Sequence, residues 1–400
     1  MGVLLSELIK QVNFKDIKLV AGKKGYSNQV NWVHMVENIE IADFLVGGEV
    51  TFTTGVGIRE DMTLFDLMKE VYRRKASGMV INVGPYIPQI TQDIIDFGNE
   101  HDFPIFEVPW RVHMADIMHM FCLTITRSEQ REIELSSAFR YAIFASKQEE
   151  LYVQTLMQKG YFAEWNYVVA IIDICDRLKG ENDKIFYSPI SGERMAMFLK
   201  RAKESICEKK QDAVVFQEKG NILIVLSDIQ EEETAEIIEM AKNKLMRLMK
   251  RTETIFVGVG STSNNIRNLT ESYRIAKKII DLSKIEHREQ ETRSYSSMGI
   301  NSLLFHIDSV ESMEEFCKKT ITPLYEYDAN NKSNLVEVLE CYMKNNGSVQ
   351  DTAQELFVHR NTINYKIKKV ETILNVDIRS FEVRNELALG IMLSKIKDIS

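Results

Sequence analysis

The residues best suited to chemistry stand near the end of the chain, at His359-Arg-Asn-Thr-Ile-Asn-Tyr-Lys-Ile-Lys-Lys369. This run holds one arginine, three lysines and two asparagines, and no acid. Arginine can grip the edge of guanine through two hydrogen bonds and asparagine can do the same to adenine, while lysine and threonine suit phosphates. The chemistry on offer is recognition of a nucleic acid. Ile363, Ile367, Val370 and Leu374 recur at i, i+4, i+7 and i+11, one narrow apolar stripe at about 100° per residue of helix. Asn361, Thr362, Tyr365, Lys368 and Lys369 then fall on the opposite side, with Asn364 and Lys366 on the flanks. His359 and Arg360 open the helix, where base edges are usually met.

A reading helix must be held by a partner. Gly347 can end one helix and Ser348 can cap the next, with Asp351 three residues on as a capping-box-like acid near the positive helix end. Ala353 is small where two helices cross closely, and Val349, Leu356 and Val358 supply apolar contacts. The first helix therefore stops near Phe357. The pattern predicts a helix-turn-helix over 348–374. Many such motifs carry glycine in the turn where this chain has Phe357, so the turn must adopt another conformation or bury the ring.

Elsewhere the chemistry is thinner. Asp173 and Asp176 close an apolar strand, where metal-binding carboxylates would stand, but read as solvated strand-end residues. Gly47-Gly-Glu49 precedes a different strand. His113 and His119 are six residues apart, which places no pair on adjacent helical turns, so no metal set forms. Gly258-Val-Gly260 reads as a strand exit, and no P-loop, G-x-S-x-G elbow or G-x-G-x-x-G follows a strand. Cys122, Cys175, Cys207, Cys317 and Cys341 are scattered without C-x-x-C spacing, which fits a reducing compartment. The reading is of a non-enzyme with no cofactor, no catalytic residue and no metal.

The 400 residues exceed one ordinary core, so several domains are expected. A net charge of −8 excludes a chain coated in nucleic acid, yet permits a small basic reading head. No apolar run is long enough to span a bilayer and the first residues lack a secretory pattern. A cytoplasmic location without membrane contact is expected.

The fold class predicted is multidomain α/β plus all-α. Residues 1–126 alternate strands (Glu49–Thr54, Gly78–Val83, Pro104–Pro109) with helices (Asp61–Lys75, Gln92–His101), which implies βαβ units in a parallel sheet. Residues 127–160 form a helical connector within a continuous helix over 111–160. Residues 161–284 run β-α-β-β-α-β, with a hairpin turning at Glu218-Lys-Gly-Asn221, a ferredoxin-like order. Residues 295–400 form a helical bundle, with Asn330–Asn334 as a polar joint. Ligands of parallel sheets sit at the C-terminal strand ends. That predicts a small-molecule pocket from Thr53, Thr54, Gly55, Asn82, Gly84 and Glu107, with Trp32 and His34 adding a stacking face and a polar contact.

Several strings resemble the purine-catabolism regulator (PucR) family: Pro323-Leu-Tyr-Glu-Tyr-Asp328, Asn346-Gly-Ser348, Leu356-Phe-Val-His-Arg-Asn-Thr362 and Tyr365-Lys-Ile-Lys-Lys-Val-Glu371. Upstream, Trp32-Val-His34, Asp43-Phe-Leu-Val-Gly-Gly-Glu49, Thr53-Thr-Gly55 and Glu107-Val-Pro-Trp110 look like its N-terminal sensory domain. The reading head is also similar to the Fis-type helix-turn-helix. The resemblance implies a regulator, commonly an activator, of nitrogen-compound genes. It also implies an effector such as a purine-degradation or other nitrogenous metabolite, and Arg360, Thr362, Tyr365 and Lys368 as first candidates for contact with double-stranded DNA. Two-fold sites need paired heads, so a homodimer or larger is expected. The middle segment resembles the cyclase (GGDEF) fold that makes cyclic di-GMP, but its hairpin lacks the second glycine and the acidic pair of that signature. It is degenerate. The competing reading is a nucleotide-sensing interaction protein with a catalytically dead cyclase-like domain.

Overall fold

The computed structural model describes residues 2–12, 16–59, 62–180, 185–307 and 309–397. Two compact units emerge, Met1–Leu135 and Ser136–Ser400.

In the first unit β1 (Val3–Leu4) leads into α1 (Leu5–Val12) and pairs with β3 (Gln29–Val30) as a small ribbon. The main sheet comprises β2 (Lys18–Ala21), β4 (Trp32–Met35), β5 (Glu49–Thr53), β6 (Gly78–Val83) and β7 (Ile105–Pro109), in the order β2-β7-β6-β5-β4. β4 to β7 are parallel, as predicted, but β2 adds an antiparallel edge. Short helices connect them: α2 (Ile39–Ala42), α3 (Leu64–Arg73) and α4 (Gln92–Glu100). α3 starts at a reciprocal Thr63–Asp66 capping box, later than the pattern suggested; Asp61, its predicted first residue, lies outside the described residues. Both sheet faces are covered, which is why the strands read as nearly continuous apolar runs. Val50, Phe52, Val80 and Phe106 meet Leu5 and Leu8 of α1 and Ile117, Phe121 and Ile125 of α5 (Met114–Phe144). Met79, Ile81 and Ile105 meet Leu67, Met68 and Val71 of α3 and Ile94 of α4.

The predicted continuous helix over 111–160 is broken. α5 ends at Phe144, and after an irregular stretch α6 (Val153–Gln158) follows. Tyr152 is fully buried there and donates its hydroxyl to the Ser146 carbonyl at 2.9 Å, fixing the break.

In the second unit β8 (Tyr167–Lys179) is the central strand. After β9 (Ile185–Pro189) and α7 (Gly192–Lys209) come the hairpin β10 (Val214–Glu218) and β11 (Asn221–Ser227), α8 (Glu231–Met246), β12 (Glu253–Val259), α9 (Leu269–Ile285) and β13 (Thr292–Ser294). The order is β10-β11-β8-β12-β13, with β9 extending the far end of β8. The hairpin turns through Lys219 (φ +47°) and Gly220 (φ +85°), the two successive left-handed residues of a type I′ turn. α7 and α8 cover one face with Met195, Phe198, Ile237, Ile238 and Leu245. α9 lies on β8 and β12, and its approach explains the glycine pair: a Cβ on Gly260 would fall 2.0 Å from the Ser272 carbonyl oxygen, and one on Gly258 2.5 Å from that of Ala276.

Ile275, Ile279 and Leu282 of α9 also join the core of the helical region that follows. There α10 (Ile300–Leu304), α11 (Val310–Thr320), α12 (Thr322–Asn331), α13 (Leu335–Lys344), α14 (Val349–Glu355), α15 (Arg360–Leu374) and α16 (Phe381–Lys397) pack together. The polar joint is shorter than expected, because α12 continues to Asn331 and Lys332 turns the chain with φ +51°. Asp328 then accepts the backbone N–H groups of Leu335 and Val336 at 2.8 and 2.9 Å, satisfying the orphan donors at the start of α13.

Candidate DNA-reading surface

Gly347 (φ +81°) ends α13 by donating its N–H to the Tyr342 carbonyl at 2.8 Å. Ser348 caps α14 by accepting from the Asp351 N–H at 3.2 Å. Only the serine half of the expected box forms. Ala353 is 5% exposed at the crossing with α15, and Val349 and Leu356 pack on the helical core. Lys344 and Asn345 both bind the Glu355 carboxylate, at 2.7 and 2.8 Å, tying the end of α13 to the end of α14. Those hydrogen bonds hold the Glu355 carboxyl below its ordinary range.

α15 behaves as its periodicity required. Ile363 and Val370 are wholly buried, Ile367 is 9% exposed, and Leu374 packs at the core margin. Asn361, Tyr365 and Lys368 lie on the exposed side, with Thr362 and Asn364 beside them. His359 caps the helix, its Nδ1 accepting the Asn361 N–H at 3.2 Å, and its imidazole is exposed. Arg360 is exposed in the first turn, where the helix dipole adds positive potential.

The nine sequence-selected residues divide on this geometry. Lys366 binds the Asn334 side chain, and the Lys369 ammonium stands 5.3 Å from the Tyr327 ring centre. Both lean on the protein. His359, Arg360, Asn361, Thr362, Asn364, Tyr365 and Lys368 remain exposed. Two expectations for the turn change. Phe357 neither avoids the left-handed conformation nor buries its ring, having φ +52° and 96% exposure. Val358, expected to pack inward, is 40% exposed.

The candidate pocket of the first unit does not assemble from its eight residues. Thr53, Thr54 and Gly55 do meet, but around Glu37, which sequence reasoning missed. Its carboxylate accepts from Thr53 Oγ1 (3.0 Å), Thr54 N (2.9 Å), Thr54 Oγ1 (2.7 Å) and Gly55 N (3.0 Å). The protein supplies its own anion at the strand ends. Trp32 is in register with Glu49 at the opposite end of β5, four residues from Thr53 and so about 13 Å away. The His34 Nδ1 is bonded to the Met35 carbonyl at 2.9 Å. Thr53 and Glu107 share a row across the sheet with buried Ile81 between them. Asn82 spends its amide on the carbonyls of Val108 and Pro109, both at 3.2 Å. A Cβ on Gly84 would lie 2.6 Å from the Trp110 Cβ, so that glycine seats the indole.

In the middle sheet Asp173 pairs with Lys284 at 2.6 Å. Burial pulls the Lys284 ammonium down, but the Asp173 carboxylate outweighs it and the net shift is upward. Asp176 accepts from Thr252 Oγ1 at 3.0 Å. Both carboxylates thus have protein partners. A cavity of about 760 Å³ lies at the other end of β8, bounded by Val168, Glu231, Glu236, Val259, Thr262 and Tyr295. Among the described residues no helix is long and apolar enough to cross a membrane.

A short capped helix crossing a longer one, whose far side bears cations and amides, defines a helix-turn-helix protein of the regulator class. Residues 7–125 match the Purine catabolism regulatory protein-like family, residues 154–282 a GGDEF-like domain and residues 335–393 the PucR C-terminal helix-turn-helix domain. The chain belongs to the PucR family of transcription regulators. Its relatives include three proteins of Bacillus subtilis (strain 168). It is 29% identical to the proline-responsive transcriptional activator PutR over 47% of each chain. It is 18% identical to the purine catabolism regulatory protein over 98% of this chain and 99% of that one. It is 24% identical to the DNA-binding transcriptional activator AdeR over 38% of this chain and 37% of that one. The match thus spans about half or less of PutR and AdeR. Among solved structures, a regulator of polyketide synthase expression from Bifidobacterium adolescentis is 14% identical over 66% of this chain and 93% of its own, with a TM-score of 0.27.

Proposed function

We propose that this chain is a sequence-specific binder of double-stranded DNA that answers a small nitrogenous metabolite and acts on catabolic genes, as an activator. One observation carries the reading: Asn361, Tyr365 and Lys368 are exposed along the side of α15 opposite Ile363, Ile367 and Val370, which are buried. Arg360 and the exposed imidazole of His359 complete an edge matched to a groove. Activation and the nitrogenous effector are drawn from the relatives, whose names specify activators, proline response and purine catabolism.

The architecture that goes with this reading is a sensory α/β domain over 1–126, a connector over 127–160, a ferredoxin-like, catalytically inactive GGDEF-like domain over 161–284 and a helical domain over 295–400. The strand order of the second unit and the partnered Asp173 and Asp176 support it. Paired heads in a homodimer or larger assembly match a two-fold operator. A nucleotide-sensing role fits the middle-sheet cavity poorly, because Glu231 and Glu236 on its wall oppose phosphates.

The test is selection of duplexes from a random-sequence library, followed by affinity measurements across a salt series. A DNA reader enriches one sequence and loses affinity steeply as salt rises. No enrichment together with a flat salt response would sink the reading. Thermal-shift screening of amino acids and purine intermediates then tests the effector.

A further inference from the structure

The turn between α14 and α15 keeps the left-handed backbone for which glycine is suited, yet fills it with Phe357. A bulky L-residue is disfavoured there because its Cβ crowds the neighbouring carbonyl. The ring gains nothing in return within the free chain, being 96% exposed, while Leu356 beside it packs on the core. Val358 also turns outward. Two adjacent apolar side chains therefore project just ahead of exposed Arg360 and Asn361. Strain without a folding benefit points to a benefit in another state.

We propose that Phe357 is itself a DNA-contact residue, laying its ring on an apolar surface of the duplex at the edge of the site that Arg360 reads. The proposal rests on the DNA-reading assignment above. Two such surfaces exist: the C5-methyl of thymine in the major groove and the carbon face of deoxyribose. Duplex is the fitting occupant because the ring stands two residues before the cap of α15, at the helix end that enters the groove. Its exposed neighbours along the chain toward α15, beyond Val358, are the imidazole of His359, a guanidinium and an amide, which suit DNA rather than a second apolar protein face.

The test compares wild type with Phe357→Gly, Phe357→Tyr and Arg360→Ala on the duplex that wild type selects from a random library. Phe357→Gly suits the backbone better, so its Tm should equal or exceed that of wild type while its affinity falls about tenfold. Phe357→Tyr keeps the ring and should bind within about twofold of wild type. The salt slope should stay unchanged in both, since the ring neutralises no phosphate. Uracil in place of each thymine assigns the contact: if one such duplex erases the difference between wild type and Phe357→Gly, the ring meets that methyl, and if none does, it meets the sugar.

Wild-type affinity in Phe357→Gly overturns the proposal. So does a change in oligomeric mass by light scattering with DNA affinity intact, which would place the ring in a protein interface. If Arg360→Ala also binds normally, or wild type selects nothing, the DNA-reading assignment falls and takes this inference with it.

Discussion

Two regions of this molecule look alike in sequence, each offering hydroxyls, amides and backbone donors at the end of a regular element. In the structure they differ in one respect. At the end of β5 the donors of Thr53, Thr54 and Gly55 are consumed by the Glu37 carboxylate. Along α15 the side chains of Asn361, Tyr365 and Lys368 stay exposed, held out by a buried stripe behind them. A polar cluster that has satisfied itself is part of the scaffold. One kept unsatisfied by a rigid support is available to a partner.

Five substitutions probe that contrast. The largest effect is expected from Ile363→Ala, which empties a fully buried position of the support. It should destabilise the helical region by about 2–5 kcal/mol in urea unfolding and abolish selective DNA binding at elevated temperature. Unaltered stability would mean that the stripe is not the support. Glu37→Ala should cost the first unit about 1–3 kcal/mol, because partly buried donors are left unpaired. If denaturation instead shows no loss, the strand end is a vacant site after all, and the two regions are equivalent.

Arg360→Ala is expected to weaken binding to the selected duplex by about 1–3 kcal/mol and to relax one base preference. Lys368→Ala should weaken all duplexes alike and lower the salt slope by about one. Lys366→Ala has the smallest effect, because that ammonium is engaged by Asn334. Equal salt slopes for the two lysine variants would erase the distinction between the exposed and the retained cation.

What the sequence made legible was periodic. The 3.6-residue stripe of α15, the β-branched runs of β5 and β6 and the turn at Lys219-Gly220 all stand where local pattern placed them. What stayed hidden depends on pairs distant in sequence. Glu37 lies 16 to 18 residues from the donors it serves, and Lys366 lies 32 from Asn334. No short spacing announces either pair. Trp32 stands at the Glu49 end of β5, a register that so short a strand as β4 does not reveal without its neighbour. Glycine is the general rule in such a turn, where this chain has Phe357. The backbone obeys that rule while the residue breaks it.

Helix α9 serves two bodies at once. The rod is seated on the middle sheet through Gly258 and Gly260, and the same rod lends Ile275, Ile279 and Leu282 to the helical core. The two hydrophobic bodies therefore share a beam. Heat should dissolve both bodies in a single cooperative step.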